Sequence, residues 1–345
     1  MYLITTPIEK NSTNNETKRI LLGEWCNIYK HPVYKKKNSD LILDYHWSNF
    51  NKLENDSEII FKLYNNVLIE LSNDLNKIFK KNLNKKSYEL IMGYWLIQFI
   101  AVVFDRYSNL LNAYKYDSNL KLINFSNLKL KLISNNSGNS GRLFANDFWN
   151  YVLYIKISKL SKLINFKIDS FVLDKKLLEE SEEDISINYK LKKNKYKNYL
   201  KSIIGNITYF FSKSNNVFLY NALPLKYHIK LYKKFKSFPT LNWIQNSFDF
   251  HEDKTLRENI LSTNQKEADD FQNILKILIK LCLPKIYLEG FNLVYEHVDQ
   301  LKLPKNPKII FTNNSHFKDD LFKFWSAKKI EKNSKLLISQ HGGGP

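Results

Sequence analysis

The stretch that decides the fold runs from residue 308 to residue 344 and reads KIIFTNNSHFKDDLFKFWSAKKIEKNSKLLISQHGGG. Two short apolar runs within it, Lys308–Phe311 and Lys335–Ser339, predict buried strands. Between them, Phe317–Ile330 contains apolar residues for packing and predicts a helix. A strand, a helix and a second strand in so short a span form a β-α-β unit, and such units place their strands parallel in one sheet.

Hydrophobic periodicity predicts a helix-rich region before this unit. Apolar residues recur at helical spacing over Ser57–Phe79, with Ser57 as the expected N-cap, and Leu90–Ala113 is apolar on all sides, as in a helix covered by its neighbours. Two further runs predict strands: Lys18–Trp25, expected as the first strand of the chain, and Val217–Tyr220.

The length of the chain, 345 residues, is typical of about two domains. We therefore expect an α/β fold with a helix-rich N-terminal α/β region over residues 1–215. A β-α-β part with a Rossmann-like parallel sheet is expected over residues 216–345.

Polar residues follow both strands of the β-α-β unit, where ligands bind in open parallel sheets. Asn313 and Asn314 follow the first strand, and Gln340-His341-Gly342-Gly343-Gly344 follows the second. Glycines let a backbone approach a ligand and turn its N–H groups toward an anion, and a histidine beside them can take a proton from a hydroxyl at neutral pH. The pattern predicts His341 as a catalytic base and the other six residues as substrate-binding. Ordinary turns with a hydrogen-bonded histidine would give the same pattern.

Glu24 is a second candidate for the catalytic base. It follows Gly23 at the end of a predicted strand, where its carboxylate could deprotonate or orient an acceptor hydroxyl. A helix cap or a surface ion pair is the alternative.

Two further pairs of residues are predicted to bind substrate. His46 and Trp47 lie in an aromatic segment that could stack on a sugar ring, although a packed, hydrogen-bonded histidine is the alternative. Asp105 and Arg106 end the longest apolar run, where Arg106 could bind a phosphate through two hydrogen bonds. A structural ion pair at a helix end is the alternative for these two residues.

The net charge of +19 favours an anionic partner: nucleic acid, acidic lipid headgroups or a phosphorylated substrate. The heavy use of Lys, Asn and Ile typical of AT-rich genomes would produce the same charge, and the lysines are distributed along the chain rather than gathered in one stripe. Very few of the basic residues are Arg, which argues against nucleic acid because base readout relies on bidentate Arg. We expect no nucleic-acid partner and a peripheral contact with the inner membrane at most.

Cysteine use and targeting patterns favour the cytoplasm. Cys26 and Cys282 allow one disulfide at most, which is typical of a reducing compartment. Residues 1–18 lack the apolar core of a signal peptide. The most apolar run, Leu90–Phe104, is shorter than the roughly 20 residues that span a bilayer, and it predicts a buried core helix.

Several motifs are absent from the sequence. It contains no G-x-x-x-x-G-K-[ST] loop, no G-x-G-x-x-G fingerprint and no clear Asp-x-Asp pair at a strand end. We therefore expect neither a bound metal nor a cofactor.

Short blocks of residues recur in order from one end of the chain to the other. They are Leu22–Cys26, Tyr45–Trp47 with Lys52-Leu53, Gly93–Leu96 with Phe104–Arg106, Leu283–Lys285 with Tyr287–Glu289, Phe322–Trp325 and Gln340–Gly343. This ordered set resembles a family of transferases from O-antigen and surface-polysaccharide loci, first catalogued in Leptospira. The block around His341 is also similar to the His-Gly motif of glycerophosphate polymer transferases, in which the histidine is the proposed base.

The resemblance implies a two-domain glycosyltransferase of the GT-B type. Such an enzyme moves a sugar from a nucleotide-activated donor to a glycan or glycolipid acceptor, with the acceptor on the first domain and the donor on the second. The expected reaction is inverting and metal-independent, and the nucleotide-sugar is a substrate rather than a cofactor.

The sequence departs from the family pattern in two places. Ser48 and Asn49 replace an acidic pair after Trp47, and Gly344-Pro345 replaces an aromatic residue and glycine. The second departure predicts a fragment that lacks the C-terminal donor domain.

Two other function classes stay open at the level of sequence. An α/β-hydrolase would use the HGGG segment as an oxyanion hole, but it needs a G-x-S-x-G elbow, which does not occur in these residues. A basic, non-catalytic scaffold would bind a membrane or nucleic acid independently of His341.

Overall fold

The structure is a computed structural model that describes residues 1–12, 18–27, 40–186, 203, 206–220, 224–238, 248–262 and 269–339. Its strands are β1 (Tyr2–Ile4), β2 (Arg19–Leu21), β3 (Leu41–Ile42), β4 (Lys121–Phe125), β5 (Lys167–Phe171), β6 (Val217–Tyr220), β7 (Ile309–Thr312) and β8 (Lys335–Ile338). Its α-helices in the first half of the chain include α1 (Phe50–Phe79), α2 (Lys85–Tyr88), α3 (Tyr94–Tyr116), α4 (Ser137–Leu143), α5 (Asp147–Leu160) and α6 (Lys175–Ser186). They are followed by α7 (Leu225–Lys234), α8 (Lys254–Glu258), α9 (Asp270–Cys282), α10 (Phe291–His297), α11 (Ser315–Lys318) and α12 (Asp320–Ile330). The predicted α/β fold with a Rossmann-like parallel sheet and a helix-rich N-terminal part is confirmed.

The first five strands form one parallel sheet in the order β3-β2-β1-β4-β5. This is the doubly wound Rossmann order, in which the strand order reverses between β1 and β4 and ligands bind beyond the carboxyl ends at that point. The prediction that Lys18–Trp25 forms the first strand was wrong. β2 occupies part of it, but β1 precedes it as three residues at the N-terminus.

The last three strands form a second parallel sheet in the order β6-β7-β8. The predicted strands at Val217–Tyr220, Lys308–Phe311 and Lys335–Ser339 are confirmed to within one residue. The predicted helix between the last two is divided into α11 and α12 because Asp319 is extended and its side chain accepts the backbone N–H of Phe322 as an N-cap.

The division of the chain near residue 215 stays a prediction. β6 begins two residues after that boundary, but one hydrophobic cluster includes side chains from Leu3 to Ala327. Helices of both parts therefore share a core with both sheets.

The predicted start of the first long helix needed correction. The first long helix begins seven residues before the predicted N-cap Ser57, because Asn49 caps it by accepting the N–H of Lys52. The Ser57 hydroxyl instead donates to the carbonyl of Leu53 inside the helix.

The central apolar helix is confirmed as part of the core. α2, a π-helical segment at Glu89–Gly93 and α3 form one helical stretch, Lys85–Tyr116, that is long and apolar enough to cross a membrane by length and composition. In its most apolar window 56% of the residues are buried inside the fold, and the core helices of many proteins pass the same test. Length and composition alone are therefore weak evidence for a membrane span here.

Candidate functional site

The loops after β1, β2 and β3 converge at the carboxyl edge of the first sheet. Trp25, which follows β2, donates its indole N–H to the carbonyl of Thr5 after β1 at 3.0 Å. Its ring meets the ring of Tyr45, after β3, edge-on at a centroid distance of 5.8 Å. The indole lies directly on Gly23, where a Cβ would come within 2.0 Å of a ring carbon, so only glycine fits this position.

Asp105, on α3, is the hub of the polar cluster at this edge. Its Oδ1 accepts hydrogen bonds from the Tyr45 hydroxyl at 2.7 Å and from His46 Nε2 at 2.9 Å. Oδ1 also accepts a hydrogen bond from the Asn109 amide at 3.3 Å, and Oδ2 pairs with the Arg106 guanidinium. Burial alone would raise the pKa of Asp105, but the hydrogen bond from His46 and the charge of Arg106 outweigh it and lower that pKa. The carboxylate therefore stays ionised and fixes the donors around it.

His46 is held between two carboxylates and has no exposed side-chain surface. Its Nε2 bonds to Asp105, while its Nδ1 lies 3.9 Å from Asp56 Oδ2 and makes no hydrogen bond among the described residues. Asp56 also accepts the indole N–H of Trp47 at 2.8 Å. This enclosure favours a positioning role for His46 over direct contact with a substrate. Its predicted role, like that of Trp47, stays a prediction.

Arg106 is a charged member of this cluster that keeps partial access to solvent. It pairs with Asp105 through Nη1, donates from Nε to the Asn150 side chain at 3.0 Å and lies 5.9 Å from the centroid of the Tyr154 ring. Its side chain is 22% exposed, and its Nη2 has no hydrogen bond to any residue that the structure describes. Arg106 therefore forms a structural ion pair through Nη1, and the Nη2 edge of its guanidinium is left for an anion to bind.

Glu24 lies at the same edge, exposed to solvent. It opens the 3₁₀ turn Glu24–Asn27 after β2, and its Oε2 accepts a hydrogen bond from the Asn27 amide at 3.3 Å. A carboxylate in this position is accessible to an acceptor hydroxyl. Its predicted role as a base stays a prediction.

Glu9 is a functional candidate that the sequence predictions missed. It is fully buried after β1, and its Oε2 accepts the backbone N–H groups of Thr5 and Thr6, both at 2.7 Å, and their two hydroxyls at 2.7 and 3.3 Å. Its Oε1 has no hydrogen-bond partner in the described residues. Burial raises the pKa of Glu9 to about 7, although the threonine hydrogen bonds lower it in part. The sequence Thr6-Pro7-Ile8-Glu9 is a capping box with proline at the first helical position, and that signal was available.

Asn313 and Asn314 lie at the carboxyl edge of the second sheet, directly after β7, as predicted. In the same loop the Thr312 hydroxyl accepts the N–H of Ser315 at 3.1 Å. Ser339, the last described residue, donates its N–H to the Thr312 carbonyl at 3.0 Å. Gln340, His341, Gly342, Gly343 and Gly344 lie outside the described residues, so their predicted roles stay predictions.

A buried ionic network supports this second edge. Lys323 on α12 has no exposed surface and donates to Asp320 at 2.7 Å, to the Tyr287 hydroxyl at 2.8 Å and to the Ser137 hydroxyl at 2.9 Å. Burial raises the pKa of Asp320, but the charge of Lys323 outweighs this and lowers it. Since all three ammonium protons are used, the network is structural, and it fixes the N-terminus of α4 against α12.

His316 is a second residue that the sequence predictions missed. It lies on α11, two residues after Asn314, and its Nδ1 is buried without a hydrogen-bond partner in the described part of the chain. Burial and then the charge of Lys323 lower the pKa of His316, which favours a neutral imidazole. In the sequence, His316 is a lone histidine in a polar stretch, and no motif or periodic pattern marks it as a functional residue.

Helix α3 links the two carboxyl edges. The ring of Tyr94, at its N-terminus, lies 5.2 Å from the ring of Phe317 on α11. Asp105 lies eleven residues later on the same helix, or about 16 Å at a rise of about 1.5 Å per residue. Over the described ranges, no group of three His, Cys, Asp or Glu side chains is placed to hold a metal ion.

Comparison with known proteins identifies a family. The family model described as LIC12162 family transferase matches residues 1–344. No curated protein and no solved structure matches the chain. Because the match covers almost the whole length, the chain belongs to the LIC12162 family of transferases.

Proposed function

We propose that this transferase moves a sugar from a nucleotide-activated donor to a cell-surface polysaccharide or glycolipid acceptor. The observation that carries the proposal is the polar cluster at the carboxyl edge of a sheet with Rossmann order, in a chain of a transferase family. The second parallel sheet supports a GT-B-like arrangement of two sites. Its polar loop on α11 lies near Tyr94, about 16 Å along α3 from Asp105.

In this proposal the acceptor lies at the first sheet, and the polar loops of the second sheet contact the donor. The accessible carboxylate of Glu24 supports a role as base toward an acceptor hydroxyl, and His341 is the alternative base. The free guanidinium edge of Arg106 would bind an anionic group of a substrate. Asn313 and Asn314, with Gln340 and the amides of Gly342, Gly343 and Gly344, would bind the donor and balance charge on its leaving phosphate.

The remaining features of the proposal follow from the chemistry. An inverting transfer needs one base and a stabilised leaving group, and the carboxylate, histidine and amides named above supply both without a metal. We propose that the enzyme acts in the cytoplasm on a nucleotide-sugar as its donor substrate, with no nucleic-acid partner and no cofactor.

A thermal-shift panel of CMP-, UDP-, GDP- and CDP-linked sugars tests the proposal. A ligand present at about one hundred times its Kd stabilises the folded protein by about 2.7 kcal/mol, which corresponds to a shift of several degrees in melting temperature. We expect one nucleotide class to produce this shift in the full chain and the free sugar to produce none. Stabilisation by none of the four classes would contradict the proposal.

A further inference from the structure

One segment of the chain carries most of the net positive charge. Residues 185–248 contain twelve lysines and no Arg, Asp or Glu, against a net charge of +19 for the whole chain. A second run without acidic residues, 300–318, adds four lysines. Lysines occur along the whole sequence, but in these two segments no acidic residue balances their positive charge.

The fold brings described parts of these two segments, residues 206–216 and 302–308, together at the amino edge of the second sheet. The backbone N–H of Lys305 donates to the carbonyl of Lys213 at 3.0 Å, and that of Lys308 to the carbonyl of Asn216 at 2.7 Å. The Asn215 side chain bonds to both backbone groups of Phe238, at 2.7 and 3.2 Å. Since β6 begins at Val217, this edge is the one opposite Asn313 and Asn314.

The side chains at this edge form a surface that is both basic and aromatic. Its apolar members include Phe210, Phe211 and Phe238, which are 64%, 54% and 43% exposed. The rings of Phe210 and Phe211 lie 5.3 Å apart, and those of Phe211 and Phe238 lie 5.0 Å apart. We call this the basic aromatic surface, and its exposed lysines are Lys213, Lys233, Lys234, Lys236, Lys302, Lys305 and Lys308.

We propose that the basic aromatic surface docks the protein on an anionic lipid bilayer. Lysines near a membrane attract anionic headgroups, each strengthening binding about fivefold, and aromatic side chains enter the boundary between headgroups and acyl chains. The proposal does not depend on the reaction that the enzyme catalyses, because it concerns the edge of the second sheet opposite Asn313 and Asn314.

Lipid accounts for this surface better than nucleic acid does. Exposed phenylalanines can stack on bases, but Ile207, which is 56% exposed and lies one helical turn before Phe210 and Phe211, has no such use. Aliphatic side chains do gain from burial in a lipid interface. The absence of Arg from residues 185–248 also removes the side chain that nucleic-acid readout uses most.

Co-sedimentation of the full chain with lipid vesicles tests the proposal. Vesicles of phosphatidylglycerol and phosphatidylcholine in equal parts are compared with pure phosphatidylcholine. We expect binding to the anionic vesicles that weakens between about 0.1 M and about 1 M salt, as the Debye length falls from about 10 Å to about 3 Å. Replacing Lys213, Lys233, Lys234 and Lys305 with Gln should weaken this binding at least about tenfold, and Phe210→Ser should weaken the part that remains at high salt.

A variant with the same change in charge provides the matched control. Lys62, Lys86, Lys167 and Lys176 are exposed on other parts of the fold, and their replacement with Gln should leave vesicle binding within about twofold of the wild type. Equal loss in both variants would show a general charge effect and overturn the proposal. So would a wild-type protein that ignores anionic vesicles, or one that binds duplex DNA or RNA through these lysines but not vesicles. Unchanged melting temperatures confirm that each variant is folded.

Discussion

At the scale of single residues, Glu9 shows how a local signal leads to a chemical property. The capping box Thr6-Pro7-Ile8-Glu9 brings one carboxylate oxygen onto two backbone N–H groups at the end of β1. The same turn buries the carboxyl completely and leaves its other oxygen without a partner in the described residues. A capping residue thus becomes a buried group whose charge is costly near neutral pH.

The pH dependence of stability tests this account of Glu9. Its pKa is raised from 4.5 to about 7 in the folded protein, so its stabilising effect is complete below about pH 4.5 and is lost as the pH rises through 7. Glu9→Gln keeps an acceptor for the threonines and removes the titration. We expect the unfolding free energy of Glu9→Gln, relative to wild type, to rise by about 3 kcal/mol between about pH 4 and about pH 8 in urea titrations.

The comparison with wild type isolates Glu9 from Asp319. Burial raises the pKa of Asp319 to about 6, and its effect on stability has the same sign, but both proteins contain it. A difference between the two proteins that stays constant across this pH range would contradict the buried, neutral state of Glu9.

Sequence predicted some individual site residues but could not predict their partners. His46, Asp105 and Arg106 were identified from local composition, and the structure brings all three into one hydrogen-bonded cluster. The contact between His46 and Asp105 joins residues about sixty positions apart in sequence, and no periodic pattern in the sequence indicates a contact at that separation. The partners Asp56 and Tyr45 therefore became visible only in the fold.

At the scale of elements, the loops after β1 and β2 are joined by Trp25 packed on Gly23. The indole N–H reaches the Thr5 carbonyl while its ring packs on Gly23, where a Cβ would come within 2.0 Å of a ring carbon. This contact holds Glu24, the next residue, at the edge of the sheet. Gly23 is therefore more important for the site than an ordinary turn glycine.

A pair of glycine substitutions tests this contact. Gly23→Ala forces a methyl group within 2.0 Å of the Trp25 ring, and we expect it to destabilise the protein by about 1–3 kcal/mol. Gly141→Ala meets no atom within 4 Å in α4 and should stabilise the protein by about 0.4–1 kcal/mol. Denaturant titration of both variants measures the two effects, and equal effects of the same sign would contradict the packing described here.

The elements that sequence predicted share a strong local signal. β6, β7 and β8 are apolar runs bounded by polar residues, and all three were found. β1 has only three residues, and β4 and β5 have mixed composition whose pairing depends on distant strands. The Ser, Asn and Gly residues of α4 have low helix propensity, but Asn136 caps this helix and Asp320 of α12 accepts the N–H of Ser137.

At the scale of the whole molecule, two parallel sheets present polar loops at their carboxyl edges and α3 extends from one edge to the other. The strand order of the first sheet could not be predicted, because order is set by packing of helices whose contacts are distant in sequence. The fold class itself could be predicted from a single β-α-β unit. The family match over residues 1–344 is consistent with this architecture and adds the reaction class.

The release of free nucleotide from a labelled nucleotide-sugar, with a cell-surface glycan preparation as acceptor, tests the central claim most directly. We expect the full chain to release nucleotide only when the acceptor is present. Either Glu24→Gln or His341→Asn, whichever removes the base, should slow this release at least about one hundredfold without weakening donor binding. No acceptor-dependent release by the wild type, or equal rates in the wild type and both variants, would contradict the claim.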